Sequence, residues 1–150
     1  MMRIGVISDT HGKVPPEVFT AFRGVNLILH AGDIGGDDVI IELETIARLI
    51  GVRGNTDVDL GPPRFPDTRR LTLDGVSLFL CHQQERVRKV APTPEVVICG
   101  HTHQAVNEVR KGTLWFNPGT ASTPRFGKSE RTVGILTLQE GTASGEIVQL

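Results

Sequence analysis

The chain has 150 residues and 16.3 kDa, with 16 Lys plus Arg against 17 Asp plus Glu, a formal net charge of −1. That length suits a single domain over residues 1–150. The balanced charge argues against a basic nucleic-acid footprint, a polybasic membrane patch and a disordered acidic tail.

Arg3 to Ser8 (RIGVIS) reads as a buried first strand, broken by Asp9-Thr10-His11-Gly12. Pro15 and Pro16 precede EVFTAFR, which predicts a short helix over Pro16 to Arg23. Val25 to His30 is a second buried strand. Val39, Ile40, Leu43, Ile46, Ala47 and Ile50 recur at helical spacing, predicting an amphipathic helix over Asp37 to Leu49 with Asp37 as its cap. Gly51 to Arg53 reads as a brief strand and Leu60 to Pro66 as loop. Arg70–Leu73 and Val76–Cys81 flank Asp74-Gly75, a strong hairpin signal. Val87 to Val90 suggests one helical turn and Val96 to Cys99 a buried strand. Ala105–Arg110 and Thr113–Asn117 flank Lys111-Gly112, and Thr132–Leu138 and Gly145–Leu150 flank a last Gly-rich turn. The economical architecture is α/β (α+β): two packed sheets with helices on at least one outer face.

Cys81 and Cys99 lie in apolar runs and read as packed, reduced thiols, which points to a cytoplasmic location. No stretch has the length of a signal-peptide core or a membrane span. One Trp and no Tyr make a stacking platform for single-stranded nucleic acid improbable. No stable nucleic-acid or membrane partner is expected.

Chemistry gathers where the strands end. Asp9 and His11 follow the first strand, Asp33 the second, Asn55 the third, His82 a later one, and His101 and His103 the next. Ligand sites in sheets of α/β character collect at the carboxyl ends of strands, so these seven side chains should share one rim. Four of the five histidines belong to the set. A lone histidine after a strand is usually structural, but this ordered combination is hard to obtain by chance. His30, inside the second strand, reads as structural or as support for the ligands. Carboxylate, imidazole and amide donors suit Mn²⁺ first, with Fe, Zn²⁺, Ni²⁺ and Mg²⁺ as alternatives. Seven donors exceed the need of one ion and suit two, about 3.5–4 Å apart.

The segments SDTHG (8–12), HAGDI (30–34), VRGNTD (52–57), LCH (80–82), CGHTH (99–103) and NPGT (117–120) resemble the calcineurin-like metallophosphoesterases, above all their small YfcE-type phosphodiesterase branch. The resemblance runs from Arg3 to Val133. It implies an αββα sandwich of two mixed sheets and a dinuclear metal site. Asp9, His11 and His103 would hold one ion, Asn55, His82 and His101 the other, and Asp33 both. Asn117 and Gly119 would form a supporting turn. The implied activity is hydrolysis of small phosphodiesters by attack of a metal-bridging hydroxide, with Asp33, Asn55, Asp9 and His11 central to catalysis.

Three departures stand out. Thr56 occupies the place of the family's His after GN, Gln83-Gln84 replaces Gly-His after His82, and Gly36 stands where a later Asp is usual. Asn55, Thr56 and Arg53 are the candidate substrate contacts. Arg64 and Arg125 are further possible phosphate clamps, although solvated loop arginines are the plainer reading. The same fold also serves as a retromer-subunit-like interaction scaffold with little or no activity, which is the competing expectation. A homodimer or homotetramer would be ordinary, with the C-terminal hairpin as a contact surface.

Overall fold

In the computed structural model, residues 1–122 and 130–150 are described. The apolar runs become strands in two five-stranded sheets. The first sheet has β1 (Met2–Ile7), β2 (Leu27–His30), β3 (Leu49–Gly51), β9 (Thr132–Gln139) and β10 (Thr142–Gln149), in the order β10-β9-β1-β2-β3. The second has β4 (Thr68–Leu73), β5 (Val76–Cys81), β6 (Val96–Ile98), β7 (Ala105–Arg110) and β8 (Thr113–Pro118), in the order β4-β5-β6-β8-β7. Both sheets are mixed. β1, β2 and β3 run parallel, as do β5, β6 and β8, and antiparallel strands complete each sheet.

Alternation sorts the side chains into layers. Ile4, Val6, Leu27, Leu29, Leu136 and Leu138 meet Leu78, Leu80, Val96, Ile98 and Phe116 between the sheets. The outer face of the first sheet, with Ile7, Ile28 and Ile135, is covered by α1 (Glu17–Ala21) and α2 (Asp37–Glu44) through Val18, Val39, Ile40 and Leu43. On the outer face of the second sheet, Phe79, Cys81, Val97 and Cys99 pack with Val87 of a 3₁₀ helix (Gln84–Lys89) and with Trp115. Both cysteines are free, buried thiols.

The hairpins form as two-residue turns. Asp74, Lys111 and Glu140 have φ of 47°, 51° and 53°, each followed by a positive-φ glycine. That is the requirement of a type I′ turn, which matches strand twist.

Some boundaries differ from expectation. α2 ends at Glu44, where the Thr45 hydroxyl donates to the Glu42 carbonyl at 2.6 Å. The chain then straightens, and Leu49–Gly51 pairs with Ile28–His30, so β3 lies earlier than Gly51 to Arg53. Asp37 does not cap α2. Gly36 is the N-cap, without a side-chain cap bond, and Asp37 is in the first turn. β10 begins at Thr142, not at Gly145. A Cβ on Gly145 would lie 2.5 Å from Phe116 Cε2, and one on Gly134 2.3 Å from Phe116 Cε1. These strand glycines make room for the Phe116 ring.

Candidate metal centre

Parallel strands of both sheets deliver their carboxyl ends to one edge of the sandwich. The loops there are tied to their neighbours within each sheet, the Asp9 amide donating to Gly32 O (3.0 Å), His11 to Asp33 O (3.0 Å) and Gly100 to His82 O (3.0 Å), and between the sheets by Ala121 donating to Ser8 O (3.1 Å). Two donor groups result, Asp9–His11–His103 and Asp33–His82–His101, each with its ligand atoms within 4.8 Å of one another. The rings pair accordingly, His11 with His103 at 5.6 Å between centroids and His82 with His101 at 5.1 Å.

The two groups adjoin. His11 Nε2 lies 3.7 Å from Asp9 Oδ1 and 3.8 Å from Asp33 Oδ2. His82 Nε2 lies 3.9 Å from Asp9 Oδ1 and 3.3 Å from Asp33 Oδ2. His103 Nε2 is 3.1 Å from Asp9 Oδ1. Asn55 is exposed and lines a cavity with His82, Arg53, Gln83 and Arg86.

The atoms that do not face this centre are occupied. Asp9 Oδ2 accepts from the Ser8 hydroxyl (2.7 Å) and the His101 amide (3.1 Å). Asp33 Oδ1 accepts from the Thr56 amide (3.0 Å). His82 Nδ1 donates to the Ala31 carbonyl (2.7 Å), which leaves the Nε2 lone pair free to bind a cation. Asp9 Oδ1, His82 Nε2 and His103 Nδ1, by contrast, are buried without a hydrogen-bond partner among the described residues. Buried polar atoms are otherwise nearly always satisfied, so Asp9 Oδ1 and His82 Nε2, left over 3.9 Å apart, fit divalent cations.

Electrostatics point the same way. Burial opposes ionisation of Asp9, but the His11 and His82 rings and the Ser8 hydroxyl more than offset it and lower its pKa. Burial likewise opposes ionisation of Asp33, and the His82 ring and the Thr56 amide hold it well below the usual carboxylate range. Asp9 holds His11 above the ordinary histidine value. His82 is raised too, by Asp33 and Asp9 against its own burial. Two carboxylates held in the ionised form beside imidazoles are a setting that suits divalent ions.

Close approach dictates the glycines. A Cβ on Gly54 would lie 2.1 Å from Asp33 Oδ1, and one on Gly100 2.0 Å from Ser8 Oγ. Asn117 holds the GHTH loop, donating to Gly100 O (3.0 Å) and Thr102 Oγ1 (3.2 Å) and accepting from the Gly119 amide (2.9 Å). His30 is fully buried and carries no donor into the centre. Its Nδ1 accepts from the Gly32 amide (3.1 Å), so Nε2 donates to Thr10 Oγ1 (3.0 Å), which donates to Ile34 O (2.7 Å).

The arginine candidates separate. Arg53 is bonded to Asp67 (2.7 Å) and Leu60 O (3.2 Å), yet lines the cavity beside Asn55. Arg64 pairs with Glu44 (2.7 Å) on the surface. Arg125 lies outside the described residues. Sequence reasoning missed Asp57. It is buried, with Oδ2 accepting from the amides of Ile34 (3.0 Å) and Gly54 (2.8 Å) and Oδ1 from that of Gly35 (3.1 Å). It also missed Ser8, whose hydroxyl donates to Asp9 Oδ2. Asp57 had one available signal, its place two residues after Asn55 in a strand-end loop.

A family model described as the calcineurin-like phosphoesterase superfamily domain matches residues 2–141. The chain belongs to this superfamily. It is 35% identical, over 99% of its length and 92% of the relative's, to a probable metallophosphoesterase of Methanothermobacter thermautotrophicus. It is 32% identical, over 85% of its length and 83% of the relative's, to the phosphodiesterase YfcE of Escherichia coli. Its fold matches that of wild-type Vps29 from Entamoeba histolytica with a TM-score of 0.75 at 19% identity, covering 99% of each chain. This calcineurin-like protein is a metal-dependent phosphoesterase, and the superfamily implies divalent ions, which the donor groups fit. Among its described residues, no helix is long and apolar enough to cross a membrane.

Proposed function

We propose that this phosphoesterase hydrolyses small phosphodiesters at a two-ion centre. Asp9, His11 and His103 hold one ion, Asn55, His82 and His101 the other, and Asp33 joins them. One observation carries the reading. Asp33 Oδ2 lies within 3.8 Å of His11 Nε2 and 3.3 Å of His82 Nε2, so a single carboxylate oxygen borders both donor groups. Mn²⁺ is the expected ion, with Fe, Zn²⁺, Ni²⁺ and Mg²⁺ as alternatives, because a mixed nitrogen and oxygen set can hold any of them. Bound divalent ions supply Lewis acidity and an activated water.

The chain's own groups do the rest. Ser8 and the His101 amide fix Asp9, Ala31 fixes the His82 tautomer, and the Thr56 amide fixes Asp33. Two carboxylates against four positive charges leave a local surplus that attracts an anionic ester. Thr56 has a hydroxyl in place of an imidazole, so esters whose leaving groups need no protonation should turn over best.

The test is Asp33→Asn with Mn²⁺ on a chromogenic aryl diester. Turnover should fall at least about a hundredfold, with metal content after purification falling too. Equal rates for variant and parent would refute the reading. The Vps29 likeness keeps a scaffold as the second reading, which tight metal binding with no turnover of any diester would favour.

A further inference from the structure

Beside the proposed ions lies a cleft of about 110 Å³, lined by Arg53, Gly54, Asn55, Asp67, His82, Gln83 and Arg86. It shares Asn55 and His82 with the proposed ligands, so an ester arm leaving that side of the centre enters it. Its two cations differ. Arg53 is engaged by Asp67 at 2.7 Å and by Leu60 O at 3.2 Å. Arg86 stands exposed on the 3₁₀ helix that follows His82, and makes no ion pair among the described residues. It shares the cleft with Asp67, whose carboxyl is held below its ordinary value by Arg53 first and more weakly by Arg86. With Arg53 and Asp67 cancelling, Arg86 leaves the cleft with one net positive charge. The lining holds no Phe, Tyr or Trp and no large apolar side chain, so it does not suit a nucleobase. Its volume suits a compact polar group.

The geometry points to a subsite for a second anion: Arg86 selects phosphodiesters whose other ester arm carries a compact carboxylate or phosphate group. The inference rests on the phosphodiesterase reading. It gives the segment after His82, where Gln83-Gln84 replaces the family's Gly-His, a role in recognition. The guanidinium fork would meet the anion's oxygens, and Arg53, pinned by Asp67, would keep the opposite wall in place.

The test compares the parent with Arg86→Gln, a substitution of an exposed side chain outside both donor groups. Calorimetry of the Mn²⁺-loaded protein uses two non-hydrolysable probes, phenylphosphonate and 4-carboxyphenylphosphonate. The carboxylate should tighten binding to the parent about fivefold, the scale of a solvent-accessible charge pair, and should add nothing in Arg86→Gln. Phenylphosphonate should bind both proteins alike. Turnover of 4-nitrophenyl phenyl phosphate and of 4-nitrophenyl 4-carboxyphenyl phosphate should show the same split in KM, with kcat unchanged. Equal preference in parent and variant, or no preference in the parent, overturns the subsite. If the phosphonate preference holds while neither diester is hydrolysed, the phosphodiesterase reading falls and Arg86 stands as an anion-binding residue only.

Discussion

Replacing Asp57 by Asn exchanges a carboxylate oxygen for an amide nitrogen at the junction of two ligand-bearing loops. Asp57 Oδ2 accepts from Ile34 N and Gly54 N at 3.0 and 2.8 Å, and Oδ1 from Gly35 N at 3.1 Å. The Asn oxygen can keep the first two bonds, but its NH₂ then meets the Gly35 N–H, donor against donor. A hydrogen bond to a charged acceptor contributes about 1.5–3 kcal/mol, so losing one and weakening two should cost roughly 2–3 kcal/mol. Asp57→Ala strands all three donors and should cost about 4 kcal/mol. Against a typical total of about 5–15 kcal/mol, the Asn variant should stay folded. Urea unfolding of the metal-free protein should show a midpoint lower by about 1 M, given slopes of about 1–3 kcal/mol/M. Mn²⁺ affinity should drop about tenfold, as for a group that orients ligands without touching the ion. An unchanged urea midpoint would mean that the three bonds add no net stability. An unchanged affinity would mean that Asp57 does not position Asp33.

Gly54→Ala should strip metal while the sheets persist, because its Cβ would sit 2.1 Å from Asp33 Oδ1 and 2.3 Å from Asp33 N. Gly61→Ala, whose Cβ meets only Arg53 Nη1 at 3.4 Å, is the control, and full metal content in both variants would contradict the argument. Mn²⁺ affinity should weaken as pH falls. His11 and His82 have raised pKa values in the metal-free protein, so protons begin to compete above pH 6.5, with proton release on binding as the direct readout. His30 is shifted the other way. Burial pushes it down to about 4 from 6.5, so the unfolded chain binds the extra proton and stability drains away between pH 6.5 and about 4. That drop is about 3 kcal/mol. His30→Gln should flatten this part of the urea-midpoint profile, and an identical profile in both proteins would exclude His30 as its source.

The candidate ligands were legible because each follows an apolar run directly, and strand ends are where such a fold places its chemistry. Asp74-Gly75 and Lys111-Gly112 were legible for a local reason too, since tight hairpins need positive φ at both residues. What escaped was decided by distant partners. Leu49 and Ile50 continue a helical pattern, but pairing with Ile28 and Leu29 draws them into β3. Thr142, Ala143 and Ser144 look like part of a Gly-rich turn before Gly145, but pairing with Gln139, Leu138 and Thr137 draws them into β10. Asp57 binds amides more than twenty residues away, and Arg86 reaches the cleft only through a 3₁₀ helix whose amphipathic signal is one turn long.

Backbone strain links the fold to the metal centre. Five of the seven proposed ligand residues have left-handed φ: Asp9 56°, His11 48°, Asp33 56°, His101 70° and His103 63°. Asp and His tolerate that region better than most side chains, yet it still costs about 1–2 kcal/mol each. Strain of this kind persists only where the surroundings over-determine it. Here the constraints are the bonds from Asp9 to Gly32, from His11 to Asp33 and from Gly100 to His82, together with the three amides on Asp57. None of them uses Asp9 Oδ1 or His82 Nε2, the buried atoms left over 3.9 Å apart between the two donor groups. The ligand geometry is thus held by the protein before any ion arrives, unlike small zinc domains in which metal and folding are one event. Chelation should therefore abolish turnover while leaving the near-ultraviolet signal of Trp115 and the sheet content intact.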